Sequence, residues 1–280
     1  MDSVSYRDLT TLADFADVVE LERLIWGPGY DDVVPTSILT ITVHRGGILI
    51  GAFDAAGTLK AFVYSLPSIK DGRLAQWSHM LGVAPDARGA GLGLRLKLAQ
   101  RARALAMGID LIEWTYDPLQ ALNAQLNFAR LGVVVEEYEE NIYGASSSPL
   151  HAGSPTDRFV AAWKLTAPHV ERRIAAGGLG IVRDAAVAAA PLVNPSRTAG
   201  VWLAPGDADR SVDSPRLLIE IPAGASGYDA MQRANPALAL DWRMATRALF
   251  QHYLSRGYRV VDFFLSQPAG RGHYLLALTP

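Results

Sequence analysis

The chain has 280 residues, half of them hydrophobic, with 26 lysines and arginines against 28 aspartates and glutamates. That length holds a sizeable core and accommodates two domains, while a net charge of −2 without any basic block gives no electrostatic support for a nucleic-acid or membrane-surface role. The absence of cysteine excludes disulfides, thiolate metal sites and a cysteine nucleophile. Met1 to Thr10 lacks the basic start and apolar stretch of a signal peptide, and no apolar run approaches about eighteen residues. A cytoplasmic protein acting on small molecules, without a metal, is expected.

In chain order, a short strand around Ser5 to Arg7 leads into a helix from Leu12 to Trp26, with Leu12, Phe15, Val19 and Trp26 at helical spacing. Trp26-Gly27-Pro28-Gly29-Tyr30-Asp31-Asp32 breaks it, and Pro35 opens a second helix through Val43. Three strands follow as a meander, Ile48 to Phe53, Leu59 to Ser65 and Leu74 to Val83, with turn residues between them. A helix from Gly91 to Met107 stops at Gly108, and a strand covers Asp110 to Tyr116. A helix from Leu119 to Leu131 ends at Gly132, before strands at Val133 to Tyr143 and Arg158 to Leu165.

After Leu165 the texture changes. Residues Ala175 to Pro195 are rich in Ala and Gly, and Pro191, Pro195, Pro205 and Pro215 punctuate a stretch that reads as linker and irregular packing. Order returns with a strand at Arg216 to Ile221, a helix from Pro236 to Arg256, and strands at Tyr258 to Leu265 and His273 to Leu278. The division expected is 1–166 as the main domain, 167–215 as linker, and 216–280 as a smaller α+β part. That last part repeats the helix, glycine, strand, strand succession of Leu119 to Leu165, either as a weak internal repeat or as two ordinary helix-to-strand turns.

The run Val83-Ala84-Pro85-Asp86-Ala87-Arg88-Gly89-Ala90-Gly91-Leu92-Gly93 joins a strand to a long helix. Its glycines let a ligand approach the backbone, and the first N–H groups of the helix that follows have no intrahelical partner and favour an anion such as a pyrophosphate. Asp110, about twenty residues on, invites a dinucleotide reading. Against it, the Gly-x-Gly-x-Gly spacing is one residue short of that fingerprint, and four strand-like segments precede the run, whereas a Rossmann fingerprint usually follows the first strand.

The run resembles motif A of the GNAT acyltransferase superfamily, an apolar strand, often Val-x-Pro, then Arg or Gln-x-x-Gly-x-Gly or Ala, and Arg88 to Gly93 fills every position. A closer resemblance, to a two-part group in that superfamily labelled predicted acetyltransferases, rests on Ser78-His79-Met80-Leu81, Leu96-Lys97-Leu98-Ala99-Gln100-Arg101, Trp114-Thr115-Tyr116-Asp117-Pro118-Leu119, Asn123-Ala124, Asn141-Ile142-Tyr143-Gly144, Asp157-Arg158 and Asp241-Trp242-Arg243. The resemblance implies an α/β (α+β) GNAT fold with a mixed, mostly antiparallel sheet, plus the smaller C-terminal part. It also implies that strands four and five splay apart around the pantetheine arm of acetyl-CoA or another acyl-CoA. Arg88, Gly89, Ala90, Gly91, Leu92 and Gly93 would then hold the pyrophosphate, a backbone N–H near Leu81, Gly82 and Val83 the thioester carbonyl, and Asn123 the pantetheine or 3′-phosphate region, with Asn127 one turn further along the same helical face.

Superfamily members commonly place a carboxylate base on the fourth strand. No Asp or Glu lies between Leu74 and Val83, where His79 is the one titratable side chain, sharing a face with Trp77, Leu81 and Val83 by alternation. Its imidazole suits proton removal near neutral pH; a core histidine is the competing reading, and Glu113 is the second candidate base. The tyrosine that usually serves as acid falls on Phe128, leaving Tyr143 and Tyr116 as substitutes or water as the proton source.

Acceptor specificity in the superfamily comes from the segments here occupied by Trp26 to Asp32 and Gly144 to Asp157. The first offers Trp26 and Tyr30 as walls and Asp31-Asp32 as partners for an ammonium. Physical reasoning adds Arg243 and Arg247, four apart on a helix with Ala239 and Gln251 flanking them on the same stripe. Like charges at that spacing cost about 0.2–0.5 kcal/mol and call for an anion, either a ligand carboxylate or Glu220 or Asp262 across an interface. The function expected is N-acyl transfer to a small amine such as an amino acid, with acetyl as the default group and succinyl open. The alternative is a catalytically silent acyl-CoA-binding or regulatory module. A homodimer remains open.

Overall fold

The computed structural model describes residues 4–27, 29–144, 154–177, 185–266 and 269–278. The chain forms two compact units. Among the described residues, unit 1 comprises those up to Trp114 together with Lys164–Thr166, and unit 2 comprises the others.

Unit 1 contains β1 (Ser5–Asp8), α1 (Leu12–Trp26), α2 (Thr36–His44), β2 (Ile48–Phe53), β3 (Leu59–Lys70), β4 (Arg73–Val83), α3 (Leu92–Ala106) and all but the last two residues of β5 (Leu111–Tyr116). Its strands run in the order β1-β2-β3-β4-β5, antiparallel except for the parallel β4–β5 pair. A reciprocal cap fixes the start of α1: Thr11 Oγ1 accepts from the Asp14 N–H while Asp14 accepts from the Thr11 N–H. The helix buries Phe15, Val18 and Val19 with Leu39 of α2 and Phe62, Tyr64 and Met80 of the sheet. Leu12, read as part of that face, is 72% exposed because it sits beside the cap, outside the packed cluster. Asp71 (φ 50) and Gly72 (φ 75) make a two-residue turn between β3 and β4, a conformation that the right-handed twist of paired strands favours.

Unit 2 contains α4 (Ala121–Ala124) running into a π-helical segment (Gln125–Leu131), β6 (Val134–Glu139), all but the last residue of β7 (Arg158–Lys164), α5 (Pro168–Ala175), α6 (Ala185–Ala188), β8 (Arg197–Ala199), β9 (Trp202–Ala204), β10 (Arg216–Pro222), α7 (Tyr228–Ala234), α8 (Pro236–Leu254), β11 (Tyr258–Ser266) and β12 (Arg271–Leu278). The strand order is β7-β6-β11-β12-β10, antiparallel throughout, with β8 and β9 forming a separate hairpin. Its core is an aromatic cluster in which Phe159, Phe250 and Tyr274 meet edge to face with centroids 4.6–5.6 Å apart, and Tyr116, Phe128 and Tyr138 pack around them.

The fold is therefore mixed α and β with a mostly antiparallel sheet. The stretch read as linker and irregular packing contains α5, α6, β8 and β9. Hydrophobic periodicity misses α5 because one of its two buried side chains is Arg173, ion-paired to Asp262 at 2.7 Å.

Candidate active site

The glycine run folds as a 3₁₀ turn (Pro85–Ala87) followed by two left-handed residues, Gly89 (φ 81) and Gly91 (φ 76), which caps α3 without a side-chain hydrogen bond. A Cβ built at either glycine meets nothing within 4 Å, so the backbone borders open space. This fits a pyrophosphate lying against the turn and the first N–H groups of α3. Gly93 faces inward, where an added Cβ would lie 3.6 Å from Leu81 Cδ2.

Earlier along the strand that leads into this turn, β4 and β5 are paired at Gln76↔Ile112 and Trp77↔Glu113. On its other side β4 pairs with β3 up to Val83, but the register slips: Ser65 faces Ser78 and Tyr64 faces Met80, leaving His79 as an extra residue. His79 therefore sits on a β-bulge, a feature that redirects side chains. Simple alternation would put Trp77, His79, Leu81 and Val83 on one face. The bulge breaks that pattern: His79 packs edge-on to Tyr64 (6.0 Å, 87°), whereas Leu81 lies toward α3 at Gly93.

His79 is open to solvent on one side and crowded by protein on the other. Desolvation lowers its pKa, and Asp32 opposes that shift. Glu113 is buried and paired with Trp77 in the joined part of the two strands, with Lys70 Nζ 3.9 Å from its carboxylate. Trp26 stacks on Tyr30 (5.5 Å, 29°) and meets Phe62 edge-on, while Asp31 and Asp32 are exposed. Pro28 of that segment, and residues 145–153 of the second acceptor segment, lie outside the described residues.

Two buried groups of unit 1 escaped the sequence reading. Glu22 of α1 is fully buried: one carboxyl oxygen accepts from the Val34 N–H at 2.9 Å, the other has no hydrogen-bond partner, and burial raises its pKa to about 7. Lys97 of α3 is 2% exposed and donates to Ser78 Oγ and Gln100 Oε1, each at 3.0 Å, with its pKa pushed well down by burial. Its position between the buried Leu96 and Gln100 was the available signal.

In unit 2, Asn123 is exposed on α4, but Asn127 is buried with its Nδ2 unpartnered. The two therefore differ in exposure, and Asn127 lies in the π-helical segment while Asn123 lies in α4. Phe128 and Tyr116 belong to the aromatic core; Tyr116 is buried, which raises its hydroxyl pKa, and its hydroxyl lies 3.5 Å from that of Tyr274. Tyr143 is half exposed, its hydroxyl 2.7 Å from Thr115 Oγ1 and its ring 5.5 Å from the Arg158 guanidinium.

The two arginines of α8 find their anions inside the unit, where the sequence pointed to a ligand or to Glu220 or Asp262. Arg243 is buried, with Nη1 2.7 Å from Asp117 Oδ1 and Nη2 2.5 Å from Asp117 Oδ2, and also reaches the Tyr228 hydroxyl. Arg247 pairs with Asp157 through two nitrogens and with Glu140. Glu220 is held by His273 and Arg271 instead, and Asp262 by Arg173. These acids come from segments distant in sequence, so helical spacing could not reveal them. Among the described residues no group of three His, Asp or Glu is arranged to hold a metal ion, and no helix is long and apolar enough to cross a membrane.

No protein-family model and no curated protein matches the sequence. The chain is similar to solved structures of GNAT acetyltransferases. An acetyltransferase of the GNAT family from Streptococcus pneumoniae is 16% identical, over 57% of this chain and 98% of that one, with a TM-score of 0.46. The ribosomal-protein-S18-alanine N-acetyltransferase from Escherichia coli is 14% identical, over 59% and 96%, at 0.47. The PaiA N-acetyltransferase from Thermoplasma acidophilum, in complex with coenzyme A, is 17% identical, over 58% and 99%, at 0.41.

Proposed function

We propose that this protein is an acyl-CoA-dependent N-acyltransferase of the GNAT type, with residues 1–166 as its acyltransferase part. The observation that carries the reading is local: a left-handed glycine turn leads into an uncapped helix beside a strand whose bulge presents a solvent-accessible histidine. The turn would hold the pyrophosphate of acyl-CoA. The amine of the acceptor would attack the thioester carbonyl carbon, with a β4 N–H near Leu81–Val83 holding the oxyanion. His79 would take the amine proton as the C–N bond forms. Collapse of the intermediate breaks the C–S bond, and the departing thiolate would be protonated by water. Trp26, Tyr30, Asp31 and Asp32 would receive a small cationic amine such as an amino acid. Acetyl is the default acyl group, and succinyl stays open.

The test is release of free thiol from a panel of acyl-CoAs against a panel of amines. The reading expects release that requires both partners. A second reading, a silent acyl-CoA-binding module, draws on Phe128, which is packed into the core at the position of the usual acid. CoA-dependent stabilisation without amine-dependent thiol release would favour it.

A further inference from the structure

Lys97 lies where β4 and β5 part. The last paired residues are Trp77 and Glu113, so Ser78 and Trp114 are the first residue of each strand beyond the pairing. Lys97 Nζ touches both: it donates to Ser78 Oγ at 3.0 Å and sits 3.5 Å from the centroid of the Trp114 ring. Gln100, one turn along α3, completes the arrangement by accepting from Lys97 and donating to Ser78 Oγ, each at 3.0 Å. A hydroxyl, an amide oxygen and an indole face thus surround the Lys97 nitrogen. All four side chains are buried.

Placing a lysine in such a setting is costly, and an apolar side chain of similar bulk would fill the volume without that cost. The geometry accounts for the choice. Ser78 immediately precedes the bulged His79, and Lys97 stands on the helix whose first turn forms the glycine cradle. We infer that Lys97 is a positioning residue, a clasp that sets the separation of β4 and β5 at the root of their divergence and thereby aligns the pantetheine channel and His79 with the cradle. The inference rests on the acyl-CoA reading for the channel's occupant, but the clasp itself is a property of the protein.

The experiment compares the wild type with Lys97→Met, which keeps the bulk and removes the donors. Affinities for CoA and for 3′-phospho-ADP, which has the pyrophosphate but no pantetheine, are measured together with amide exchange at Ser78, His79 and Met80. A clasp requires CoA binding to weaken about tenfold while 3′-phospho-ADP binding is kept, and exchange at those amides to accelerate. Lys97→Arg, which retains N–H donors, should restore part of the CoA affinity. If Lys97→Met does not fold, Ser78→Ala cuts the clasp at its other end and should give the same split. Unchanged exchange, with the two affinities unchanged or falling in parallel, would overturn the inference. If the wild type binds neither ligand, the acyl-CoA reading fails, and the exchange measurement still decides the clasp.

Discussion

The two units differ in how several of their buried charged groups are held. In unit 2, Arg243 and Arg173 each meet an aspartate through both terminal guanidinium nitrogens, and Arg247 meets Asp157 through Nε and Nη2, so these charges are fixed in place. In unit 1, Glu22 has one carboxyl oxygen without a hydrogen-bond partner, Lys97 is held by a hydroxyl and an amide oxygen, and His79 faces solvent, with Asp32 raising its pKa against the desolvation that lowers it. Bidentate pairing favours the charged form, whereas weakly compensated burial favours the uncharged form of the group. The paired charges of unit 2 are architectural, as is the buried Asp14 that unit 1 pairs with Arg7, whereas Glu22 and His79 have pKa values shifted by burial.

The contrast breaks most sharply at Arg243. Removing it with Arg243→Ala strands the Asp117 carboxylate in the protein interior, at a cost of about 3–5 kcal/mol. Calorimetry should show a large drop in melting temperature. A loss under 1 kcal/mol would mean that Asp117 is reached by water and that the charge is not architectural.

At Glu22 the sign reverses. The carboxyl titrates near 4.5 when unfolded and at about 7 when folded, so the folded state holds the proton more tightly. Stability is unaffected below pH 4.5, falls as pH rises from there to 7, and stays reduced above it. Glu22→Gln, which cannot ionise and can still accept from Val34, should stabilise the protein by about 3 kcal/mol at pH 8 and change little at pH 4. Urea unfolding at the two pH values checks this, and equal effects at both would deny that Glu22 is buried as an acid.

Next in size is the cradle. A ligand at a hundred times its dissociation constant stabilises a fold by about 2.7 kcal/mol. Gly91→Asp puts a side chain and a negative charge where the backbone borders open space, at a left-handed φ of 76° that also disfavours the substitution. The CoA-dependent rise in melting temperature should vanish in this variant and persist in a surface control.

How much of this was legible in the sequence follows from the range of each interaction. The cradle, α1 and β2 were readable because caps, turns and glycines act within a few residues; α1 spans Leu12–Trp26 as expected. The bulge at His79 was not, since one extra residue in β4 shows only against its partner strand. Nor was the π-helical segment that holds Asn127, since a four-residue spacing alone says α-helix. The aspartate that pairs with Arg243 lies 126 residues away, a distance at which no periodicity operates. Local chemistry was visible, and pairing between distant segments was not.

The smallest effect gives the finest test of whether charge near β4 is available for chemistry. If His79 accepts the amine proton, the rate should climb with pH along a limb that follows its titration, with a midpoint below the 6.5 of an unperturbed imidazole because desolvation outweighs Asp32. Asp32→Asn removes the charge that favours the imidazolium, so the limb should move further toward acid, while the plateau rate at high pH changes little because His79 is already neutral there. His79→Ala should abolish the limb and lower kcat by about a hundredfold. A limb that stays in place in Asp32→Asn but disappears in His79→Ala would keep the histidine as base and break its link to Asp32. A limb that survives in His79→Ala would assign the titration to another group, and Glu22, with its pKa of about 7, is then the group to replace.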